Sequence, residues 1–306
     1  MQQQAARDFL RVHNCGNMRG SAGRARGASS PFSAPFPMGA IKANNQTMSD
    51  RIKPAAGPIG SKDRKLDGWL NGATGELTQG VKINPSDTVV DVGCGDGALI
   101  HFCARQGAEV LFIDRDESSL AATEAKISNS PARAYRAILS ECDPIPLPDN
   151  TGDLVICTEV LEHVPDPRAM LLELIRVAKP GAQLVITVPD SRSEQYVSAT
   201  APPQYFQEPN HIRIFTAQDF RDLVLDAGLS IESQQFIGCF WAMYWPLTWL
   251  TCEEGAGLPI DNPHPITQHW IGLWHEVQQH PQGHKIRDAL NAVLPKSQCI
   301  VARKPL

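Results

Sequence analysis

The chain has 306 residues, a formal net charge of −5 and eight cysteines. That length allows one large domain or two small ones. The acidic balance, without a basic patch interleaved with aromatic residues, argues against a nucleic-acid partner, whose binding normally depends on a cationic surface. No two cysteines form a C-x-x-C pair, so we expect small buried hydrophobes in a reducing, cytoplasmic environment rather than disulfides.

Residues 1–49 differ in composition from the rest of the chain. They carry six Lys and Arg against one acid, are rich in Gln, Gly, Ala, Ser and Pro, and show no sustained apolar period. This composition predicts a disordered extension before a single domain over residues 50–306. Without an apolar run we expect no secretory signal. The segment resembles a mitochondrial transit peptide, but a true start at Met48 is the interpretation we favour.

The first strongly predicted strand ends in a glycine-rich turn. Thr88–Val92 is almost continuously apolar, as a strand buried on both faces is, and Gly93, Gly95 and Gly97 follow it before a helix-compatible run that starts at Ala98. Glycines allow a sharp turn and a close approach of the backbone to a ligand. Free N–H groups at the helix start can bind a carboxylate. The pattern predicts a nucleotide-like ligand at this end of an α/β sheet.

An acid at the end of the next predicted strand supports this interpretation. Asp114 ends the strand over residues 108–114 and comes 23 residues after Asp91. A carboxylate at that place can accept hydrogen bonds from both hydroxyls of a ribose. The alternative is that Asp114 only caps the helix that starts near Ser118.

The following elements alternate between helices and strands. Apolar spacing and turn signals predict helices at 117–127 and 167–178, and strands at 134–139, 153–158, 184–188, 231–237 and 298–302. Lys179-Pro180-Gly181 is expected to end the second of these helices. A further helix is predicted to start at Thr216, with Asp219 in a T-x-x-D cap, and to end at Gly228.

Four segments carry a resemblance to a known family, at residues 89–97, 110–116, 145–164 and 169–189. The third reads IPLPDNTGDLVICTEVLEHV, and the fourth ends in RVAKPGAQLVITVP. On these motifs the chain resembles class I S-adenosylmethionine (SAM) dependent methyltransferases, particularly the small-molecule group with the ubiquinone- and menaquinone-pathway enzymes. The resemblance implies an α/β, Rossmann-like fold: a seven-stranded, mostly parallel sheet with helices on both faces and a C-terminal antiparallel hairpin.

The resemblance also implies a set of residues that bind the cofactor, SAM. For its methionine and ribose parts these are Asp91 near the amino group, Gly93, Cys94, Gly95 and Gly97 under the carboxylate and ribose, and Asp114 at the ribose hydroxyls. For its adenine and sulfonium they are Arg115 beside the adenine, Glu141 at the adenine amino group with Asp143 as the competing acid, Cys142 through its backbone N–H, and Thr158 and Glu159 at the sulfonium.

A second motif, Glu159-x-x-Glu162-His163, follows the strand at 153–158, and His211 comes much later. In small-RNA 2′-O-methyltransferases and some quinone-pathway O-methyltransferases a similar motif binds a divalent metal, and such ligands suit Mg²⁺, Mn²⁺ or Zn²⁺. The same tract occurs in members without a known metal, so both interpretations stay open. His163 and His211 are the candidate catalytic bases, because an imidazole titrates near neutrality.

Residues 239–295 form an insertion between the last two predicted strands. It holds five of the six tryptophans, and no charged residue occurs from Ser233 to Cys252. Because Pro246 interrupts the apolar run, we expect no transmembrane helix. Two interpretations remain: a hydrophobic cluster that packs on the core, or an apolar lid over the active site, with peripheral membrane contact through residues 239–252.

We therefore expect a cytoplasmic enzyme that uses SAM to methylate a small acceptor, preferentially at oxygen. The acceptor is expected to be lipophilic if the aromatic insertion covers the site. The alternatives are a metal-assisted RNA 2′-O-methyltransferase and a SAM-binding module without catalysis. An NAD-dependent oxidoreductase is disfavoured, because the chain lacks a second catalytic domain.

Overall fold

The computed structural model describes residues 56–252 and 262–306. In chain order its elements are α1 (Ala56–Leu66), β1 (Glu76–Thr78), β2 (Val81–Lys82), β3 (Thr88–Val92), α2 (Ala98–Arg105), β4 (Glu109–Asp114), α3 (Glu117–Ile127), β5 (Ala134–Leu139), β6 (Gly152–Thr158), α4 (Pro167–Val177), β7 (Ala178–Pro189), α5 (Ser191–Val197), a 3-10 turn (Pro203–Phe206), α6 (Ala217–Asp226), β8 (Ser230–Ile237), α7 (Cys239–Thr251), α8 (Pro265–Gln279), α9 (Gly283–Val293) and β9 (Ser297–Arg303). The predicted extension 1–49 and the start at Met48 lie outside the described residues.

Seven strands form one twisted sheet in the order β5-β4-β3-β6-β7-β9-β8. Only β9 runs antiparallel to its neighbours within this sheet, so that β8 and β9 form the C-terminal antiparallel pair. Alternate residues of β3 face opposite sides: Val90 and Val92 pack with α4 and α6, and Val89 packs with α2 and α3. The predicted sheet, with helices on both faces, is therefore confirmed.

Two local predictions need correction. Lys179-Pro180-Gly181 was predicted to end the helix at 167–178, but these three residues lie within a strand. The helix α4 ends at Val177, and β7 begins at Ala178. The backbone there has partners, since Gly181 N–H donates to Lys304 O and Lys304 N–H donates to Ala182 O. Nor is Asp114 the cap of α3: Asp116 accepts hydrogen bonds from the Ser118 and Ser119 N–H groups.

The insertion folds into α7, α8 and α9, which pack against α1. Phe240, Tyr244 and Trp274 are fully buried between these helices, and Trp270 stacks on Phe240 at a centroid distance of 6.0 Å. None of the described helices combines the length and the apolar character that crossing a bilayer requires. Part of the insertion is thus the hydrophobic cluster that the sequence allowed.

Two buried acids attach α1 to this cluster. Trp274 Nε1 donates to Asp63 Oδ1 at 3.1 Å, and Arg287 Nε and Asn291 Nδ2 each lie 3.1 Å from Asp67 Oδ1. Burial raises the pKa of Asp63 from 3.8 to about 6. Burial and the neighbouring Asp63 raise the pKa of Asp67 from 3.8 to about 7. Both acids therefore ionise more readily in the unfolded chain than in the folded one.

This gives the free energy of unfolding a definite dependence on pH. The contribution of Asp63 and Asp67 is complete below pH 3.8 and is lost as the pH rises through 6 and 7. We expect a fall of up to about 1.4 kcal/mol per pH unit for each group. Urea unfolding across this range checks it. In the double variant Asp63→Asn/Asp67→Asn, the free energy of unfolding should depend less on pH than in the wild type. An unchanged pH dependence would contradict the assignment of this effect to Asp63 and Asp67.

Candidate functional site

A cavity of about 680 Å³ lies where four neighbouring parallel strands end. Ligands bind at this edge of open α/β sheets because the loops there diverge. Most of the predicted cofactor residues line it, namely Gly93, Cys94, Gly95, Asp114, Arg115, Glu141, Cys142, Thr158 and Glu159, together with Asp143 and the predicted base His163. Asp91, Gly97 and His211 do not line this cavity.

The glycine loop has three residues with positive φ, at 74° for Gly93, 50° for Gly95 and 72° for Gly97. A Cβ on Gly93 would lie 2.4 Å from Val160 Cγ2, and one on Gly97 would lie 2.3 Å from Thr123 Oγ1. A Cβ on Gly95 would meet no protein atom within 4 Å. Close packing against Val160 and Thr123 therefore explains why positions 93 and 97 need glycine. Position 95 has no such neighbour and borders open space in the cavity.

Asp114 supports this loop from the end of β4. Its Oδ2 accepts a hydrogen bond from Gly95 N–H at 2.9 Å, and its Oδ1 accepts one from Asp116 N–H at 3.0 Å. The carboxylate is only half-buried and lines the cavity, so that further lone pairs remain available to a ligand.

Asp91 lies directly beneath the loop and is buried. Its Oδ1 has no hydrogen-bond partner among the described residues. Burial, followed by the charges of Asp114 and Asp96, raises its pKa from 3.8 to about 8. A buried carboxyl oxygen without a partner is costly unless a ligand supplies one.

On the adenine side, one predicted contact is already used within the chain. The N–H of Cys142, which has a φ of 60°, donates to Ser140 Oγ at 3.0 Å. Ligand binding to this N–H would require the Ser140 hydroxyl to turn away. Glu141 and Asp143 both line the cavity, so the structure leaves the choice between these two acids open.

A second cavity, of about 240 Å³, meets the first one at Thr158, Glu159 and Arg64. We call it the aromatic chamber, and its apolar wall is formed by Trp69, Leu99, Ile237, Trp241 and Trp245. Two of the tryptophans in the insertion therefore line a cavity next to the first site, as the lid interpretation predicts.

Glu159 and Lys296 form the polar floor of the chamber, and Glu159 also lines the larger cavity. Lys296 Nζ lies 3.2 Å from Glu159 Oε2, and the Thr187 hydroxyl donates to Glu159 Oε1 at 2.9 Å. Burial alone would raise the pKa of Glu159, but Lys296 and Thr187 outweigh it and lower the pKa below 4.5. Glu159 is therefore an ion-paired carboxylate.

Glu162, His163 and His211 form a cluster whose potential ligand atoms lie within 4.8 Å of one another. Both carboxyl oxygens of Glu162 are buried without a hydrogen-bond partner among the described residues. Burial and Glu159 raise the pKa of Glu162 well above its usual range. Burial and the neighbouring His211 lower the pKa of His163 below 6.5, so this imidazole is neutral at neutral pH.

The two imidazoles are held by their Nδ1 atoms. His163 Nδ1 lies 3.0 Å from Pro209 O, and His211 Nδ1 lies 3.1 Å from Glu194 Oε2. A carbonyl and a carboxylate only accept, so each Nδ1 carries a hydrogen, and in the neutral ring of His163 the lone pair therefore lies on Nε2. The Tyr205 hydroxyl donates to the other oxygen of Glu194 at 2.9 Å.

Sequence reasoning did not identify three charged side chains at this site: Arg64, Glu194 and Lys296. Arg64 lines both cavities, and no described residue forms a hydrogen bond or ion pair with its guanidinium. Lys296 directly precedes β9, and Glu194 lies on the short helix after β7. Only the position of Glu194 after the end of a parallel strand, where ligands bind, could have drawn attention to it.

Comparisons with known proteins fit this geometry. A family model described as a methyltransferase domain matches residues 49–234. The chain is 35% identical over 183 residues to a ubiquinone biosynthesis O-methyltransferase of Pseudomonas fluorescens (strain Pf0-1), covering 60% of this chain and 71% of that protein. It is 36% identical over 119 residues to the enzyme of the same name from Pseudomonas paraeruginosa, covering 39% of this chain and 51% of that protein.

Two solved structures share the fold at a TM-score of 0.50. A geranyl diphosphate methyltransferase in complex with SAM is 15% identical and covers 80% of this chain and 85% of its own. The [4+2]-cyclase SpnF is 17% identical, and the match covers 83% of this chain and 98% of the SpnF chain. Because a cyclase shares this fold, the fold by itself does not define the reaction. On the family match, the chain belongs to the methyltransferase domain family and is a class I SAM-dependent methyltransferase.

Proposed function

We propose that this enzyme transfers the methyl group of SAM to a hydroxyl oxygen of a small, lipophilic acceptor. One observation carries the proposal: an apolar, aromatic chamber meets the larger cavity at Thr158 and Glu159. A methyl donor and an acceptor must meet at one point in line, and such positioning can contribute about 7–11 kcal/mol. The curated relatives, which are named as O-methyltransferases, support oxygen as the methylated atom.

The larger cavity suits the distinct parts of SAM, which supplies an activated methyl group on a sulfonium. Beneath the loop that lines it, Asp91 has a buried oxygen without a partner among the described residues, which we assign to the ammonium group, and Arg64, a cation that no described residue pairs with, is assigned to the carboxylate. Asp114 accepts from the ribose hydroxyls, beside the space left by Gly95. Glu141 and Arg115 then lie near the adenine. These assignments follow the sequence analysis and add Arg64 to it.

Gly95→Ala is expected to weaken SAM binding about ten- to a hundredfold, because the added methyl group would enter the space assigned to the ligand. The positive φ of 50° adds a backbone cost of about 1–2 kcal/mol to the folded state. Gly228→Ala is the matched control, since it has a φ of 91° and equally open surroundings at the end of α6. Calorimetric titration with SAM checks both. Equal affinities for the two variants would contradict the placement.

An oxygen acceptor must lose a proton, and His163 is the group best placed to receive it. His163 lines the larger cavity with its Nε2 lone pair free, and its pKa is lowered by burial and by His211. The ring of His211 contacts the ring of His163 in a T-shaped arrangement, with the centroids 5.1 Å apart. This arrangement is consistent with general base catalysis at neutral pH.

The cluster of Glu162, His163 and His211 also fits a divalent cation. The imidazoles and the Glu162 carboxyl group, whose Oε1 lies 3.7 Å from His163 Nε2, offer nitrogen and oxygen ligands, and the Nδ1 contacts to Pro209 and Glu194 are those of outer-shell partners. A cation held there would polarise an acceptor hydroxyl. Glu159 is not in the cluster, because its carboxylate pairs with Lys296.

Incubation with methyl-labelled SAM and an extract of the source organism tests the function directly. The proposal predicts label in a small product that partitions into organic solvent as a methyl ether. Label in RNA would favour the metal-assisted RNA 2′-O-methyltransferase. Saturable SAM binding with no labelled product from any fraction would instead favour a non-catalytic module.

A further inference from the structure

We propose that the aromatic chamber is the acceptor subsite and that Trp241 is the side chain that sets acceptor selectivity there. The inference deepens the proposed function and rests on it, because it concerns where the acceptor lies beside the methyl donor. The wall of the chamber comes from Trp69 before the sheet, from α2, from the end of β8 and from the insertion, whereas its floor comes from the ends of β6 and β7 and the residues next to β9.

The position of the chamber connects it to the chemistry. Thr158 ends β6, and Glu159 follows it with a φ of 57°. Both residues line the chamber as well as the larger cavity. A ligand in the chamber therefore borders Thr158 and Glu159, the residues that also line the cavity we assign to the donor.

The charges in the chamber favour an uncharged acceptor. Glu159 and Lys296 compensate each other at 3.2 Å, and we assign the remaining cation, Arg64, to the methionine carboxylate of the donor. An ammonium group has three donors, and the Glu159 contact uses one of them. Lys296 can therefore donate to the oxygen of a neutral hydroxyl compound without an unpaired charge in the chamber.

Trp241 is held in place by an unusually close contact with α1. A Cβ built on Gly60 would lie 2.1 Å from Trp241 Cζ2 and 2.5 Å from Cε2. The indole ring therefore lies on bare backbone, which only glycine allows. Trp245 stacks on the ring at a centroid distance of 5.7 Å and an angle of 23°, and Phe240 and Tyr244 contact its edge or face at 4.9 and 5.4 Å. Any side chain at position 60 must displace the ring.

Two glycines within helices, Gly60 in α1 and Gly272 in α8, give a matched pair of variants. Gly60→Ala forces the Trp241 ring to move, whereas Gly272→Ala in α8 adds a methyl group where nothing lies within 4 Å. Trp241→Ala removes the ring altogether and also removes the clash at position 60. The double variant Gly60→Ala with Trp241→Ala then shows whether the effect of position 60 acts through Trp241.

The experiment measures binding of two probes to the enzyme saturated with S-adenosylhomocysteine. The probes are 1-naphthol and the larger 9-phenanthrol, which are flat, uncharged hydroxyl compounds. We expect calorimetry to show 1-naphthol binding that Gly60→Ala weakens about tenfold and Gly272→Ala leaves unchanged. Trp241→Ala should shift the preference toward 9-phenanthrol about tenfold. In the Trp241→Ala background, Gly60→Ala should have no further effect.

Three results would overturn the inference: no 1-naphthol binding by the wild-type complex, equal affinities for Gly60→Ala and Gly272→Ala, or the same loss at position 60 with and without Trp241. Affinity for S-adenosylhomocysteine is measured in every variant and should stay within about twofold of the wild type. If labelled product still forms from the extract while the chamber fails these tests, the proposed function stands and the acceptor binds elsewhere.

Discussion

Asp114→Ala should reduce SAM affinity by about a hundred- to ten-thousandfold. The carboxylate supports the glycine loop through Gly95 N–H at 2.9 Å, and we propose that it also binds both ribose hydroxyls. Two hydrogen bonds to a charged group are together worth about 3–6 kcal/mol. Asp114→Asn should retain part of the affinity, because an amide oxygen can still accept one of these bonds.

Asp116→Ala is the control for this variant. Asp116 is the neighbouring acid, but its side chain accepts from Ser118 and Ser119 at the start of α3 and does not line the cavity. Its loss should lower the free energy of unfolding, because a helix cap is removed, and should leave SAM affinity within about threefold of the wild type. If the two variants lost SAM affinity equally, Asp114 would act on the helix and not on the ligand.

His163→Gln should lower kcat by about a hundred- to ten-thousandfold while SAM affinity stays unchanged. The imidazole lines the larger cavity, its Nδ1 is held by Pro209 O, and its pKa lies below 6.5, so that Nε2 can accept a proton at neutral pH. Single-turnover rates with labelled SAM and the product-forming fraction of the extract measure this directly.

A remote histidine provides the comparison. His284 lies at the start of α9, outside both cavities, and His284→Gln should leave kcat unchanged. A loss of less than about tenfold in His163→Gln would show that positioning alone drives the transfer and that no base at 163 is needed.

Several local elements were predicted closely from the sequence, including the strand at 134–139, whose signal is weak. The helix at 117–127 and the strand at 134–139 have the predicted bounds, and Thr216 and Asp219 form the predicted capping box. β7 was the exception, because Pro180 and Gly181 are local turn signals that the partner strand β9 overrides. Strand pairing at that distance along the chain leaves no local pattern.

The site residues likewise divide into those that the sequence indicated and those that only the folded chain brings together. The βαβ pattern predicted the residues after β3 and β4, the resemblance implied those after β5 and β6, and all of them line one cavity where these strands end. Arg64 and Lys296 come from segments far apart in sequence, and only the folded chain shows that both reach Thr158 and Glu159. The contact between Gly60 and Trp241 likewise depends on how α1 meets α7, which helical periodicity does not encode.

The measurement that tests the account most directly is the proton released when SAM binds. Burial raises the pKa of Asp91 to about 8 in the free protein, so this carboxyl group is mainly protonated at pH 7. The ammonium group of SAM beside its free oxygen favours the charged form, and binding should then expel that proton. Calorimetry in buffers of different ionisation enthalpy should give a release of roughly 0.5–1 proton per SAM, which Asp91→Asn abolishes. Wild-type binding without proton release, or a release that persists in Asp91→Asn, would contradict the placement of SAM over this carboxyl group.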